Sequence, residues 1–329
     1  MSKKLRWGIL GVASINDRLL PSFRKAHHTE LRAIASRSLD KAQTAAKKAG
    51  IPVAHGSYDD LIADPNIDAI YNPLPNTMHA EWTRKAADQG KHVLCEKPLC
   101  PTAAEAQSLV KYCQSKGIKL MDGFMWPHHP RTTRLRQILD SGAIGEVRRV
   151  AGAFTWPMRP LDPTNIRLQK PLAGGSLLDV GCYPVYGIRW AFAAEPLRVC
   201  AAARYINDVD IEMNANLWFA DGRVGVFDCS FTHPLRQWLE ITGTEGVIRI
   251  PEMWLPAHRA TWTIERISGA TEEHVIEGED QIQHMLEDFA ASVLENKPMR
   301  PDPEEAVKSL RVMDALAKSA CEEKTQEVR

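Results

Sequence analysis

Along the first 124 residues, short apolar runs alternate with stretches whose apolar positions recur every three or four residues. Leu5 to Leu10 is the first run, followed at once by Gly11-Val12-Ala13. Leu31 to Ser36 is the second, followed by a Lys- and Ala-rich helical pattern from Leu39 to Ala49. Asp68 to Tyr71 leads into a proline-rich loop, and His79 to Gln89 then predicts a helix closed by Gly90. Val93-Leu94-Cys95 ends on Glu96-Lys97-Pro98. Thr102 and Glu105 form a capping box that opens another helix, Gly117 stops it, and Ile118 to Met121 is the next strand. Strands alternating with helices of this length predict an α/β domain with a parallel, doubly wound sheet.

Past Ala143 to Glu146 the texture changes. Ile211 to Phe219 and Arg223 to Phe231 alternate with period two and meet at Asp221-Gly222, a hairpin signal. Trp238 to Thr242, Val247 to Ile250 and Thr261 to Ile267 continue the β pattern. Gln283 to Leu294, then Val307, Leu310, Met313 and Leu316, return to helical spacing. Two domains are expected: a nucleotide-binding domain over 1–124, and over 125–329 an α+β domain with a large, open, mostly antiparallel sheet.

A chain of 329 residues can bury two cores, and 44% hydrophobic with 25% charged residues is ordinary for a globular protein. Lys plus Arg and Asp plus Glu both total 41, with no long basic block, so no nucleic-acid partner is expected. The seven cysteines (Cys95, Cys100, Cys113, Cys182, Cys200, Cys229 and Cys321) contain no C-x-x-C pair. They read as reduced, buried thiols of a cytoplasmic protein rather than a zinc site or disulfide framework. His128 and His129 diverge in a proline-flanked loop without a third ligand at suitable spacing, so no metal is expected. Met1 to Arg6 runs straight into a strand without a signal-type apolar region, and no apolar stretch is long enough to span a membrane.

The chemistry gathers after the strands. The turn behind the first strand, aligned to G-x-G-x-x-G, gives Gly11 the tight turn and puts Ala13 and Asn16 at the second and third glycine positions. In a strand–turn–helix setting, Gly11, Ala13, Ser14 and Ile15 then cradle a pyrophosphate, as in a Rossmann domain. The second strand ends Ala35-Ser36-Arg37-Ser38, where an NAD site carries Asp or Glu. Arg37 with Ser36, Ser38 and nearby Lys41 suits a 2′-phosphate, hence NADP over NAD; the competing reading of Arg37 is a solvated loop cation. Lys97, ending a parallel strand, points to the ligand crevice, against an exposed strand-end lysine. Asp179 and Tyr183 stand four residues apart, on one face if the segment is helical. Asp179 also suits a helix N-cap, and Tyr183 a buried tyrosine with a satisfied hydroxyl. Lys97 with Tyr183 is a proton-handling pair for hydride transfer. Trp126, Phe154, Trp156 and Trp254 are stacking surfaces for a ring or simply core, and Arg159 and Arg167 are substrate contacts or surface charges.

Six motifs in order carry a family resemblance: W-G-I-L-G-V-A-S-I-N (7–16), A-S-R-S (35–38), P-L-P-N-T-M-H (73–79), C-E-K-P-L (95–99), G-F-M-W (123–126) and G-G-S-L-L-D-V-G-C-Y (174–183). Together they resemble the glucose–fructose oxidoreductase/inositol dehydrogenase (Gfo/Idh/MocA) family over nearly the whole chain. They look most like its subgroup of NADP-dependent D-xylose dehydrogenases, glucose–fructose oxidoreductase and dimeric dihydrodiol dehydrogenase. The resemblance implies a cofactor crevice between the domains, a cis Lys97–Pro98 peptide, and homodimers or homotetramers built through the second domain's sheet. It implies that Lys97 lies beside the nicotinamide, that Tyr183 is the general acid/base and that Asp179 orients the substrate. Leu74, Asn76 and His79 would line the cofactor; Glu96 and Trp126 are further cofactor candidates, and Trp126, Phe154 and Arg159 substrate candidates. The run from Trp126 to Arg131 departs from the aromatic-plus-basic pattern of the dihydrodiol enzymes, which leaves the substrate open. The leading expectation is a sugar or polyol dehydrogenase oxidising an aldose such as D-xylose at C1. The alternatives are a dihydrodiol dehydrogenase, a keto-sugar reductase, or a cofactor-binding regulator without turnover.

Overall fold

The structure, a computed structural model, describes residues 3–329. The chain divides into two compact units: residues up to His128 together with Asp280–Val307, and His129–Glu279 together with Lys308–Arg329.

In the first unit the elements follow as β1 (Leu5–Leu10), α1 (Asn16–Lys25), β2 (Thr29–Ala35), α2 (Leu39–Ala49), β3 (Val53–His55) and α3 (Tyr58–Ala63). Then come β4 (Ala69–Asn72), α4 (His79–Asp88), β5 (His92–Cys95), α5 (Ala103–Ser115) and β6 (Leu120–Asp122). The six strands form one sheet in the order β3-β2-β1-β4-β5-β6, and every pairing is parallel. The strand order reverses between β1 and β4, the position at which open α/β sheets bind ligands beyond their carboxyl ends. The helix expected over 39–49 is α2, with Ser38 Oγ accepting from the Lys41 N–H and Gly50 in the left-handed region closing it. The Thr102 cap is also present, its hydroxyl accepting from Glu105 N–H. β3 is only three residues long, too short to display alternation in the sequence.

This unit also takes a helix from late in the chain, Gln281–Leu294. Its Met285, Leu286 and Phe289 join Trp7, Ile9, Leu19, Phe23 and Met121 in one buried cluster. Trp7 stands at its centre, 5.5 Å from the Phe23 ring and 4.8 Å from Phe289. Expecting everything after residue 124 in the second domain therefore misses this helix. Its apolar stripe is legible in sequence, but which core buries it is decided in three dimensions.

The second unit contains α6 (Pro130–Asp140), β7 (Val147–Thr155), α7 (Cys182–Phe192), β8 (Arg198–Ile206), β9 (Val209–Trp218) and β10 (Val224–Ser230). β11 (Leu239–Gly243), β12 (Gly246–Ile250), β13 (Arg259–Arg266) and β14 (Thr271–Glu277) complete the run of strands. The helix Gln281–Leu294 is then α8, and α9 (Glu304–Glu322) and β15 (Gln326–Glu327) end the chain. The nine strands are ordered β14-β13-β12-β11-β7-β10-β9-β8-β15. All pairings are antiparallel except β7 with β10, so the sheet is mostly antiparallel, as expected. The hairpin turn lies where Asp221-Gly222 predicts it, with φ of 61° and 73°. Both residues being left-handed suits the right-handed twist of the flanking strands. β8 is weak in sequence because its inward positions include Ala201 and Ala203, which dilute the apolar alternation.

Candidate functional site

The residues singled out by the sequence fall into two groups, one in each unit. In the first unit, β1 ends in Gly11, whose φ of +87° belongs to the region that side chains rarely adopt. A Cβ there would also approach Leu74 Cδ2 to 3.0 Å. Asn16, at the third glycine position, is buried and closes the turn from within, its Nδ2 donating to the Gly11 carbonyl at 3.0 Å. A side-chain amide thus does the closing that a glycine's close packing does elsewhere. A groove of about 750 Å³ opens beside the turn, lined by Val12, Ala13, Ser14, Lys41 and Thr44.

After β2, Ser36 is buried and its Oγ accepts from Ser38 N–H, while Arg37 is exposed. No carboxylate stands at positions 36–38 to hold a ribose 2′-hydroxyl. Arg37 and Lys41 make no ion pair among the described residues, so both cations are available to a 2′-phosphate. The donors present therefore fit NADP. Ile15 and Asn76 are half-buried.

His79 departs from its expected place. It is fully buried, with Nδ1 2.9 Å from the Pro98 carbonyl and Nε2 2.7 Å from that of Leu74. Burial holds the imidazole below its usual range, and a neutral ring donates only once. His79 therefore lies between the loop after β4 and the loop carrying Lys97, donating to only one of the two carbonyls, and no surface of it remains to line a cofactor.

Lys97 follows β5, and its peptide to Pro98 is cis. Around it the acids are unusual. Glu96 is buried and accepts a 2.6 Å hydrogen bond from the Tyr71 hydroxyl; burial nevertheless raises its carboxyl above the ordinary range. Asp122 ends β6 opposite Cys95, and its Oδ1 is buried without a hydrogen-bond partner. Burial, then the charge of Glu96, pushes Asp122 up to about 8. Gly123 lets the two strand ends close, since a Cβ there would sit 2.9 Å from the Cys95 carbonyl. This acid pair escapes sequence reading, because only the β5–β6 register brings Asp122 beside the Glu96-Lys97 segment. Trp126, a few residues on, is buried at the start of a short 3₁₀ turn.

In the second unit Asp179 lies within a π-helical turn, Leu177–Gly181, that runs directly into α7 and Tyr183. Such turns are rare and concentrate at functional sites. Asp179 is inside the turn rather than at its N-cap. The capping falls to Asp210 on β9, which accepts from Ser176 Oγ and Leu177 N–H, both at 2.7 Å. Burial nonetheless raises the Asp210 carboxyl, these two donors opposing it. Gly175 accommodates that carboxylate, which would lie 2.3 Å from a Cβ. Asp179 itself receives Arg167 Nε at 2.8 Å. The buried Tyr183 ring meets Phe154 edge-on at 5.0 Å and Trp254 at 6.0 Å. Trp254 is fixed by its indole N–H to the Ala153 carbonyl at 2.8 Å. The structure thus brings Phe154, Asp179 and Tyr183 onto one framework. Arg159 is exposed and makes no ion pair among the described residues, whereas Arg167 pairs with Asp179.

Comparison with known proteins follows the same division. A family model described as the oxidoreductase family, NAD-binding Rossmann fold, matches residues 5–124, and the GFO/IDH/MocA C-terminal domain matches 132–249. The chain is 37% identical over 320 residues to D-xylose 1-dehydrogenase (NADP(+)) 2 of Haloferax volcanii, covering 96% of this chain and 97% of that one. It is 33% identical over 257 residues to trans-1,2-dihydrobenzene-1,2-diol dehydrogenase of Mus musculus, covering 77% and 76%. Among solved structures it resembles a 3-ketoreductase of Actinomadura kijaniata bound to NADP and TDP-benzene, with a TM-score of 0.89 and 32% identity over 96% and 98% of the chains. No helix among the described residues is long and apolar enough to cross a membrane.

Proposed function

Since the chain belongs to the Gfo/Idh/MocA oxidoreductase family, we propose that it is an NADP-dependent enzyme acting on a sugar, oxidising an aldose such as D-xylose at C1. The observation that carries this reading is the near full-length similarity to an NADP-dependent D-xylose dehydrogenase. The cationic loop at Arg37, without a carboxylate at 36–38, supports the cofactor choice. Bound NADP supplies the hydride acceptor or donor. The protein's tasks are to orient the carbon–oxygen bond and to move one proton. We assign the proton to the Tyr183 hydroxyl. A free phenol titrates near about 10 and is a poor base at neutral pH, and an ammonium such as that of Lys97 lowers the cost of the phenolate. Lys97 also donates to the substrate oxygen in this reading, and Asp179 orients the substrate.

A second reading, reduction of a keto-sugar, draws on the similarity to the 3-ketoreductase. The same residues serve it with the proton moving the other way. One experiment separates the two: purified protein is offered aldoses, inositols and cyclic diols with NADP⁺, with NAD⁺ in parallel, and a keto-sugar with NADPH, while reduced nicotinamide is followed by absorbance. Turnover on an aldose with NADP⁺ preferred supports the first reading. Turnover only with NADPH and a keto-sugar supports the second, and none with either removes both.

We also assign self-association to the open face of the second unit's sheet. It carries a cross-strand chain of charges, Arg149 to Glu240 to Arg249 to Glu265, at 3.3–3.4 Å. Light scattering on the eluting protein tests this, and a monomer at micromolar concentration refutes it.

A further inference from the structure

The two acids beside Lys97 stand at one end of the first unit's sheet. Asn72, Cys95 and Asp122 are partners in register at the carboxyl ends of β4, β5 and β6. With the 2′-phosphate read at the Arg37 loop after β2 and the pyrophosphate at the Gly11 turn after β1, the dinucleotide follows the strand order from β2 to β1. Its nicotinamide half then continues past β4 toward β5 and β6, where Glu96, Lys97 and Asp122 stand.

Gly123 lets the acids approach: a Cβ there would stand 3.4 Å from Glu96 Oε1, and Phe124 N–H donates to the Asp122 carbonyl at 2.8 Å. The Tyr71 hydroxyl at the end of β4 donates to Glu96 Oε1 at 2.6 Å, and Arg18 of α1 adds a favourable charge. Asp122 Oδ1 is sealed from water and has no hydrogen-bond partner. Burial, then Glu96, opposes ionisation of Asp122, while Lys97 and the Gly123 N–H favour it. The neighbouring thiols of Cys95 and Cys100 are raised by burial and stay protonated. Glu96 therefore ionises first, and Asp122 is the acid that holds a proton.

We propose, resting on that placement of the dinucleotide, that Asp122 is a redox-linked proton site: its carboxyl keeps a proton beside the reduced nicotinamide and releases it to solvent when the oxidised, positively charged ring binds. NADP⁺ and NADPH share their phosphates, riboses and adenine and differ by one positive charge on the ring. Whatever else Lys97 and Tyr71 meet is common to the two complexes, so the difference between them isolates that charge. An opposite charge brought near a carboxyl lowers its titration by about 1–3 units. Asp122 starts from about 8, so such a fall carries it across neutral pH. A carboxyl in the ordinary range would be ionised beside either cofactor and would answer to neither. The oxidised cofactor prefers the ionised acid, so its affinity relative to the reduced one rises with pH.

Calorimetric titration of the full-length protein with NADP⁺ and with NADPH, in phosphate and in Tris buffer at pH 7.5, counts the protons released. The wild type is expected to release about half a proton more with NADP⁺, for a fall of about one unit from about 8. Between pH 6.5 and 9, affinity for NADP⁺ should gain roughly five- to tenfold on that for NADPH. Asp122→Asn should bind both cofactors and lose the difference in proton count and in pH dependence. Glu96→Gln removes the charge that raises Asp122 and should move the midpoint of the affinity change to lower pH. An infrared difference spectrum of the wild type needs no variant: a protonated-carboxyl band should be present with NADPH and diminished with NADP⁺. Equal proton counts for the two cofactors in the wild type overturn the inference, as does a difference that persists in Asp122→Asn. Redox-linked release lost in Asp122→Asn, where Arg37→Ala binds NADPH normally, leaves the inference standing and overturns the 2′-phosphate placement. Equal release with both cofactors, where Arg37→Ala weakens NADPH binding, does the reverse.

Discussion

Replacing Asp122 by Asn tests whether the acid beside the Lys97 segment is held neutral. In the folded protein burial and then Glu96 raise this carboxyl to about 8. In the unfolded chain it titrates near about 3.9. Between these values the folded state keeps a proton that the unfolded state has released, so unfolding releases a proton and stability falls as pH rises. The contribution is fully present below about pH 4 and is lost as pH rises through about 8. By pH 7, about 3 units above the unfolded value, at most about 4 kcal/mol of that contribution has been lost, and partial solvent access of the residue reduces this. Asn copies the neutral acid in shape and does not titrate. The wild-type stability curve should therefore fall more steeply than that of Asp122→Asn, by up to about 1.4 kcal/mol per pH unit between roughly pH 5 and 7.5. Calorimetric unfolding of both proteins across that range measures the difference in slope, which is unaffected by any constant offset from the amide. An infrared difference spectrum gives a second readout. A protonated-carboxyl band should persist at neutral pH in the wild type, vanish in the variant and fade with a midpoint near 8. Parallel stability curves, or an Asp122 already ionised at pH 5, would refute the reasoning.

Three further outcomes follow from the site. Tyr183→Phe should lower kcat by roughly 10²–10⁴-fold while NADPH affinity, read by fluorescence titration, stays the same; equal turnover removes the proton assignment. Arg37→Ala should weaken NADPH binding by roughly ten- to a hundredfold and leave NADH binding nearly unchanged, as expected for a charge-assisted contact to the 2′-phosphate. Asp210→Ala strands the Ser176 hydroxyl and the Leu177 N–H, and should cost about 2–4 kcal/mol, seen as a lowered Tm. Because the turn it caps carries Asp179 into α7 and Tyr183, turnover should drop with it.

Much of the first unit was legible because its signals are local. The apolar run Leu5–Leu10, the Ser38 and Thr102 caps and the terminal glycines each report on a few neighbouring residues, so the sequence states them directly. The same holds for the Asp221-Gly222 turn, where two adjacent residues carry the conformation. The short β3 and the alanine-diluted β8 were harder, since too few large apolar side chains mark their faces.

Sequence alone also determined the chemistry available: a glycine turn after β1, an arginine with no acid at positions 36–38 after β2, a lysine at the end of β5, and an aspartate and tyrosine four apart. Partners were another matter. That Arg167 rather than Arg159 meets Asp179, that Asp210 caps the π-helical turn from 33 residues away, and that His79 is consumed beneath its loop were decided only by the fold. So were the pairing of Asp122 with Glu96 and the capture of α8 by the first core. The physical reason is common to all five. A cap or turn depends on bonds within a few residues, whereas a carboxyl's charge state and an apolar stripe's partner depend on what packing brings close and on how much water it removes.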